Sequence, residues 1–295
     1  MHTEPSTARP PSLILGAVPL WQLALITALS LWLYGLTLRH LVAQWWHDPD
    51  FSHGFFVPLF SAFVLWQERG RLARLLPRPS WSGLAVILLA VSLLMLGQMG
   101  AEIFLPRISL LFLLAGIVIL FFGWNLFRAV LFPWAFLLLM IPIPRILSNQ
   151  ITFPLQLLAS RVASVTLSSL FDVPVLREGN VIYLASMALE IADACSGIRS
   201  LMSLLTLAII YGYLMERRLW VRWVLALSAV PIAVAANSVR IIGTGLLVQY
   251  WNADKAEGYY FHASWGWTIF VVAFVMLYTL HGLIRLIWPP RGGEV

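Results

Sequence analysis

WVLALSAVPIAVAANSVRIIGTGLLV, from Trp223 to Val248, carries a single fixed charge, Arg240. A helix crosses a ~30 Å hydrocarbon core with about twenty predominantly apolar residues at ~1.5 Å each. This stretch meets that requirement. Leu20 to Leu38, Trp81 to Gly100, Gly197 to Met215 and Ser264 to Trp288 meet it as well. Phe51 to Trp66, Ile108 to Phe122 and Ala129 to Ile143 are shorter, and would reach bilayer length by tilting or by borrowing flanking aromatics. The expectation is an all-α polytopic membrane protein with about eight transmembrane helices.

Composition agrees. Of 295 residues, 60% are hydrophobic and 11% charged, whereas a soluble domain carries about 25% charged residues. A water-soluble fold could not cover its surface with so few charges. The net charge is +6, but the 19 basic residues form no stripe or tail. They read as topology signals and not as a nucleic-acid surface. With one cysteine, Cys195, the chain has no intrachain disulfide and no cysteine-based metal centre. No cofactor or metal is expected.

The chain reads as an N-terminal tail (1–19), one multispanning domain (20–288) and a C-terminal tail (289–295). The densest basic clusters are Arg69, Arg71, Arg74 and Arg78, and Arg217, Arg218 and Arg222. Placing both inside puts the two termini in the cytoplasm. The long connection from about 142 to 194 is then extracytoplasmic and large enough to form a small cap. Within it, Ile151 to Leu170 reads as an amphipathic helix at the interface, and Gly179-Asn180 as the turn of a hairpin.

Ionisable groups in or beside spans are expensive, so each needs a reason. In Ala192-Asp193-Ala194-Cys195-Ser196-Gly197-Ile198-Arg199, Asp193 can cap the sixth span and place Cys195 in its first turn. There the helix N-terminus favours a thiolate. Arg199, four residues on, adds a second cation on the same face. Taken alone, Cys195 could be a small packing residue, but its Asp, Ser and Arg neighbours favour chemistry. Asn237-Ser238-Val239-Arg240 in the seventh span shares a polar stripe with Thr244, though a snorkelling arginine would also account for Arg240. His262, at the entrance of the eighth span, suits proton transfer, or belongs to an aromatic belt with Phe261, Trp265 and Trp267. His53, in Asp48-Pro49-Asp50-Phe51-Ser52-His53-Gly54, reads chiefly as a structural turn residue.

The orientation, set by charge alone, brings Cys195, Arg240 and His262 to one depth on the outer face. A thiolate, an imidazole and a guanidinium are the parts for acyl transfer: attack on a carbonyl, proton movement and oxyanion stabilisation.

Ala194-Cys195-Ser196-Gly197-Ile198-Arg199, Asn237-Ser238-Val239-Arg240 and the His262 segment, in that order, resemble the exosortase/archaeosortase family. So does Phe51-Ser52-His53-Gly54 with Val57-Pro58 after it. The likeness runs from about Asp48 to Trp288. It implies a multispanning thiol protease/transpeptidase of the bacterial inner membrane. Its substrates would be membrane-anchored exported proteins bearing a Pro-Glu-Pro-like motif, one transmembrane helix and a basic tail. Carried over, Cys195 is the nucleophile, Arg240 the transition-state stabiliser and His262 the proton carrier. Arg199, Asn237, Asp193, Ser196 and His53 bind substrate or support the site. No nucleic-acid partner is expected, and the oligomeric state is left open.

Two other readings compete. A membrane acyl or glycosyl transferase in exopolysaccharide assembly would use His262, Asp193 and the arginines without the thiol. A transporter component would bind anions at Arg240 and Arg199, but should place its binding groups near the midplane.

Overall fold

The structure, a computed structural model, describes residues 19–185, 188–190, 197–250 and 259–289, with the backbone alone at 20, 189, 190, 197 and 259–267. The chain forms two compact units, Met1–Pro142 and Ile143–Val295.

The first unit contains α1 (Leu20–His47), a 3-10 helix (Pro49–Phe55), α2 (Phe56–Gln67), one helical turn at Arg69–Leu72, α3 (Ser82–Met99), α4 (Phe104–Ala129), α5 (Leu131–Phe136) and a second 3-10 helix, Leu137–Met140. Glycines let α3 and α4 approach closely. A Cβ at Gly83 would run into the Leu120 backbone, and one at Gly116 into Ile87. Without a hydrophobic force between helices in lipid, such shape fit supplies the association. The α4 helix is broken at Gly123, whose φ of 83° lies in the left-handed region. There the Arg78 amide donates to the Phe122 carbonyl at 3.0 Å. The Arg78 carbonyl abuts Gly123 where any side chain would sit.

In the second unit, α6 (Arg145–Leu170) leads to three short strands, β1 (Leu176–Glu178), β2 (Val181–Tyr183) and β3 (Ala188–Glu190). Then come α7 (Gly197–Met215), α8 (Leu219–Tyr250) and α9 (Tyr259–Ile287). The sheet is antiparallel in the order β1-β2-β3, with Leu176 opposite Tyr183 and Val181 opposite Glu190. The hairpin expected at Gly179-Asn180 is present, with Gly179 at φ 64°. It is tied to α6: the Gly179 carbonyl lies 3.0 Å from Ser160 Oγ and accepts from Arg177 Nη1 at 2.9 Å. The α8 helix is the hub of this unit. Ala229, Ile232, Ala233 and Ala236 pack with Leu204 and Ala208 of α7 and with Ala273 and Leu277 of α9. Ile241 and Val248 pack with Ala159, Ala163 and Leu167 of α6.

The all-α polytopic class stands, but the expected count of eight spans does not carry over. Among the described residues six helices are long and apolar enough to cross a membrane. The count is seven if Leu131–Met140 and Arg145–Leu170 make one broken span. The difference lies in two short candidates. In Phe51 to Trp66 the turn chemistry of Pro49 gives a 3-10 segment first, leaving α2 with 12 residues, only ~18 Å long. Ala129 to Ile143 breaks into α5 and a 3-10 turn before Pro142 and Pro144. The third short candidate, Ile108 to Phe122, lies inside α4 and ends at its break. The segment read as an interfacial helix, Ile151 to Leu170, is most of α6, and its small-residue face packs on α8.

Candidate functional site

Asn237 and Arg240 sit on α8, one turn apart. The helix is continuous here because Ala233, Val234, Ala235 and Ala236 lead into them with no breaker. Its small residues let the neighbouring helices close in. Asn237 lies about 27 Å along α8 from Leu219, just past the middle of this 32-residue helix and well beyond Arg217, Arg218 and Arg222. Asn237 is buried, Arg240 half-buried, and Ser238 spends its hydroxyl on the Val234 carbonyl at 2.9 Å. Thr244 Oγ1 donates to the Arg240 backbone carbonyl at 3.0 Å. No ion-pair partner for Arg240 exists among the described residues.

Gln156 and Leu155 of α6, Ser200 and Leu201 of α7, and Ala233, Val234 and Asn237 of α8 line one small cleft. The fold thus brings the first turns of α7, the helix that follows Cys195 in sequence, against the Asn237 turn of α8. Arg199, next to Ser200, is exposed. Cys195, Asp193 and Ser196 lie outside the described residues. His262 belongs to α9, where the backbone alone is described. Of the expected site, Asn237 lines the cleft, Arg199 precedes the lining residue Ser200, and Arg240 stands one turn beyond Asn237.

His53 is in the first unit and has a packing environment. It lies in the 3-10 helix capped by Asp48, whose Oδ1 accepts from the Asp50 amide at 3.0 Å. Its Nε2 donates to the Leu139 carbonyl at 3.2 Å, and Nδ1 is buried without a partner among the described residues. Burial pushes its pKa below the ordinary value, against the opposing pull of the Leu139 and Asp50 backbone. Next to it, Gly54 lies under the Trp45 ring, and Trp45 Nε1 donates to the Met140 carbonyl at 2.9 Å. The Phe51-Ser52-His53-Gly54 signature thus joins the end of α1 to the 3-10 turn at Leu137–Met140.

A charged network where α7 ends was not anticipated from the sequence. Glu216, only 5% exposed, is held by Arg218. His281 Nε2 lies 3.4 Å from its Oε2, Arg285 Nε 3.6 Å away, and Tyr211 Oη 2.7 Å from His281 Nδ1. Arg222 Nε donates to the Glu216 carbonyl at 2.6 Å. Its bonds with Arg218 hold the Glu216 carboxyl far below the usual carboxylate range, against the opposing effect of burial. Arg217, Arg218 and Arg222, topology charges by their sequence pattern, flank this network together with Arg285. The missed signal was an acid, Glu216, at the head of that basic run, with His281 and Arg285 on the last span. Among the described residues no group of three His, Cys, Asp or Glu side chains could hold a metal ion.

The cleft, bounded by two neutral amides and a hydroxyl, has room for little more than a water molecule, and the Arg240 guanidinium one turn on is a group that can stabilise negative charge. Residues 45–279 match the family model described as transmembrane exosortase. No curated protein and no solved structure matches the chain.

Proposed function

Because this chain belongs to the transmembrane exosortase family, we propose that it is a membrane-embedded cysteine protease/transpeptidase. It removes C-terminal sorting signals, a Pro-Glu-Pro-like motif with its transmembrane helix, from exported proteins. The observation that carries the reading is the extent of the family match. It takes in Cys195, Arg240 and His262 together, in a chain whose composition already requires a membrane.

The Cys195 thiolate attacks a substrate backbone carbonyl, and Arg240 stabilises the oxyanion that forms. The C–N bond then breaks. The substrate helix leaves as an amine that takes a proton from His262, and the rest stays on sulfur as a thioester. Water or an amine, deprotonated by His262, attacks the thioester and frees the thiolate. Asp193, Ser196, Arg199 and Asn237 position these groups or bind substrate, and His53 supports the fold. The reaction is placed at the outer face of the bacterial inner membrane, with both termini in the cytoplasm. What supports this is that Asn237 and Arg240 lie past the midpoint of α8, beyond the basic cluster 217–222 that the positive-inside rule retains in the cytoplasm.

The test is co-expression with a signal-bearing reporter, scored for loss of the reporter's C-terminal helix. Processing by the wild-type chain and none by Cys195→Ala is the expected result. Equal processing by both would overturn the thiol mechanism.

A further inference from the structure

The turn between α2 and α3 carries charges that the reaction above does not use. From Gln67 to Ser82 it holds four arginines, Arg69, Arg71, Arg74 and Arg78, against a single acid, Glu68. Two of the four are engaged within the chain. The Arg69 guanidinium lies 4.3 Å from the Trp66 ring centre, and its Nη1 donates to the Trp66 carbonyl at 3.3 Å. Arg71 Nη1 is 3.7 Å from Glu68 Oε2. Arg74 and Arg78 are exposed, and neither side chain has a hydrogen bond or ion pair with a described residue. The backbone beneath them is nevertheless held. Pro77 and Pro79 bracket Arg78 and restrict it to extended conformation. The Arg78 amide is bonded at the break in α4, and the Ser80 amide donates to the Ile119 carbonyl at 3.3 Å. Trp124 Nε1 then donates to Ser82 Oγ at 2.8 Å. Topology asks only that such charges stay on one side of the membrane; it does not require the chain that bears them to be fixed.

We propose that this turn is a seat for an anionic phospholipid, whose headgroup phosphate is bound by Arg74 and Arg78 beside Trp81. The inference is independent of the reaction proposed above. Its depth in the membrane follows from Trp81, which is 83% exposed and immediately precedes the candidate span Ser82–Met99. An indole at the end of a span settles among the headgroups, and Arg78 is three residues away in the same layer. Charge complementarity names the occupant. The segment carries three more cations than anions, and basic clusters beside a span attract anionic lipid. A guanidinium offers parallel donors to phosphate oxygens. An acidic protein or a nucleic acid would have to reach these charges through the headgroup layer, whereas the lipid is already in it. Because the backbone is held at α4, little ordering is left to oppose binding.

The test is lipid retention by the full-length protein in dodecyl maltoside, titrated with phosphatidylglycerol or phosphatidylcholine and read by native mass spectrometry. The wild type should retain phosphatidylglycerol in preference to phosphatidylcholine. Each arginine near an anionic headgroup contributes about fivefold in affinity, so the Arg74→Gln/Arg78→Gln pair should bind phosphatidylglycerol about 25-fold more weakly. Its affinity for phosphatidylcholine should not change. Arg39→Gln removes another exposed arginine, on α1, and should bind phosphatidylglycerol as the wild type does. The Arg74→Lys/Arg78→Lys pair keeps both charges and should stay within about threefold of the wild type, since lysine also binds phosphate. Unchanged phosphatidylglycerol affinity in the glutamine pair would overturn the proposal, and so would an equal loss in Arg39→Gln or in the lysine pair. Displacement of the lipid by millimolar inorganic phosphate would make the turn a site for the free ion and overturn the lipid assignment.

Discussion

Arg218 grips Glu216 by both carboxylate oxygens, with Nε 3.1 Å from Oε1 and Nη2 2.9 Å from Oε2. The backbone amides of Arg217 and Arg218 also donate to Oε1, at 2.9 and 3.1 Å. One buried acid thereby organises the turn between α7 and α8. Arg218 Nη1 continues to the Trp288 carbonyl at 2.6 Å, which draws in the end of α9. Three helices are pinned at one end of the unit, and the candidate cleft stands about four to five turns along α8, near its middle.

Glu216→Gln should destabilise the protein by about 3 kcal/mol, because it removes the buried carboxylate charge that Arg218 grips at both oxygens. Thermal unfolding in detergent measures it. The folded-state pKa of Glu216 is depressed, so its contribution is fully present above the unfolded value of about 4.3 and is lost as pH falls below that. The gap between wild type and Glu216→Gln should be constant from neutral pH to about 5 and shrink in stronger acid. A gap that grows on acidification would contradict the ion-pair account.

Gly123→Ala should cost roughly 1–3 kcal/mol, since it forces a side chain into left-handed backbone and against the Arg78 carbonyl. Gly35→Ala is the control. Gly35 lies within α1 with nothing near its missing Cβ, and alanine there should be neutral or stabilising. Equal melting temperatures for the two variants would remove the argument for the break in α4.

Cys195→Ser should abolish reporter processing while the protein stays folded in the membrane. The change is nearly isosteric, and a serine hydroxyl has too high a pKa to attack without a dedicated base. Near-native processing by the serine variant, measured in the same membranes, would assign Cys195 a packing role.

Arg240→Lys should be almost as damaging as Arg240→Ala, each lowering turnover about a hundredfold, or ~3 kcal/mol in the barrier. A guanidinium presents parallel donors, while an ammonium is a mobile point charge. Full activity with lysine would show that positive charge alone suffices at this place.

The membrane class and the long spans were legible because hydropathy over twenty residues is a strong, local signal. Leu20 to Leu38 and Trp223 to Val248 needed nothing else. The hairpin at Gly179 was legible for the same reason, since a left-handed turn demands its residue type. Short apolar runs were not. Whether Phe51 to Trp66 continues as one helix depends on how Trp45, Gly54 and Met140 pack, and those contacts join residues up to 95 apart. At the candidate site, Asn237 announced itself as a polar residue within an apolar span. Gln156 did not, because an amide in a mixed amphipathic helix is unremarked until α7 and α8 are placed against it. Glu216 was hidden by its neighbours: among arginines it reads as surface charge, and only the fold shows it buried.

The alanines of α8 have a consequence for handling the protein. Ala229, Ala233 and Ala236 share one buried cluster with Ala208 of α7 and Ala273 of α9, small residues that let the helices come close. In lipid such contacts owe their strength to fit and not to the exclusion of water. Urea acts largely by solvating apolar and peptide surface, so it gains little purchase on an interface whose alternative is hydrocarbon. Small, penetrating detergents offer the helices a competing surface and should part them first. The choice of amphiphile, more than salt or chaotrope, should therefore decide whether the purified chain keeps a closed cleft.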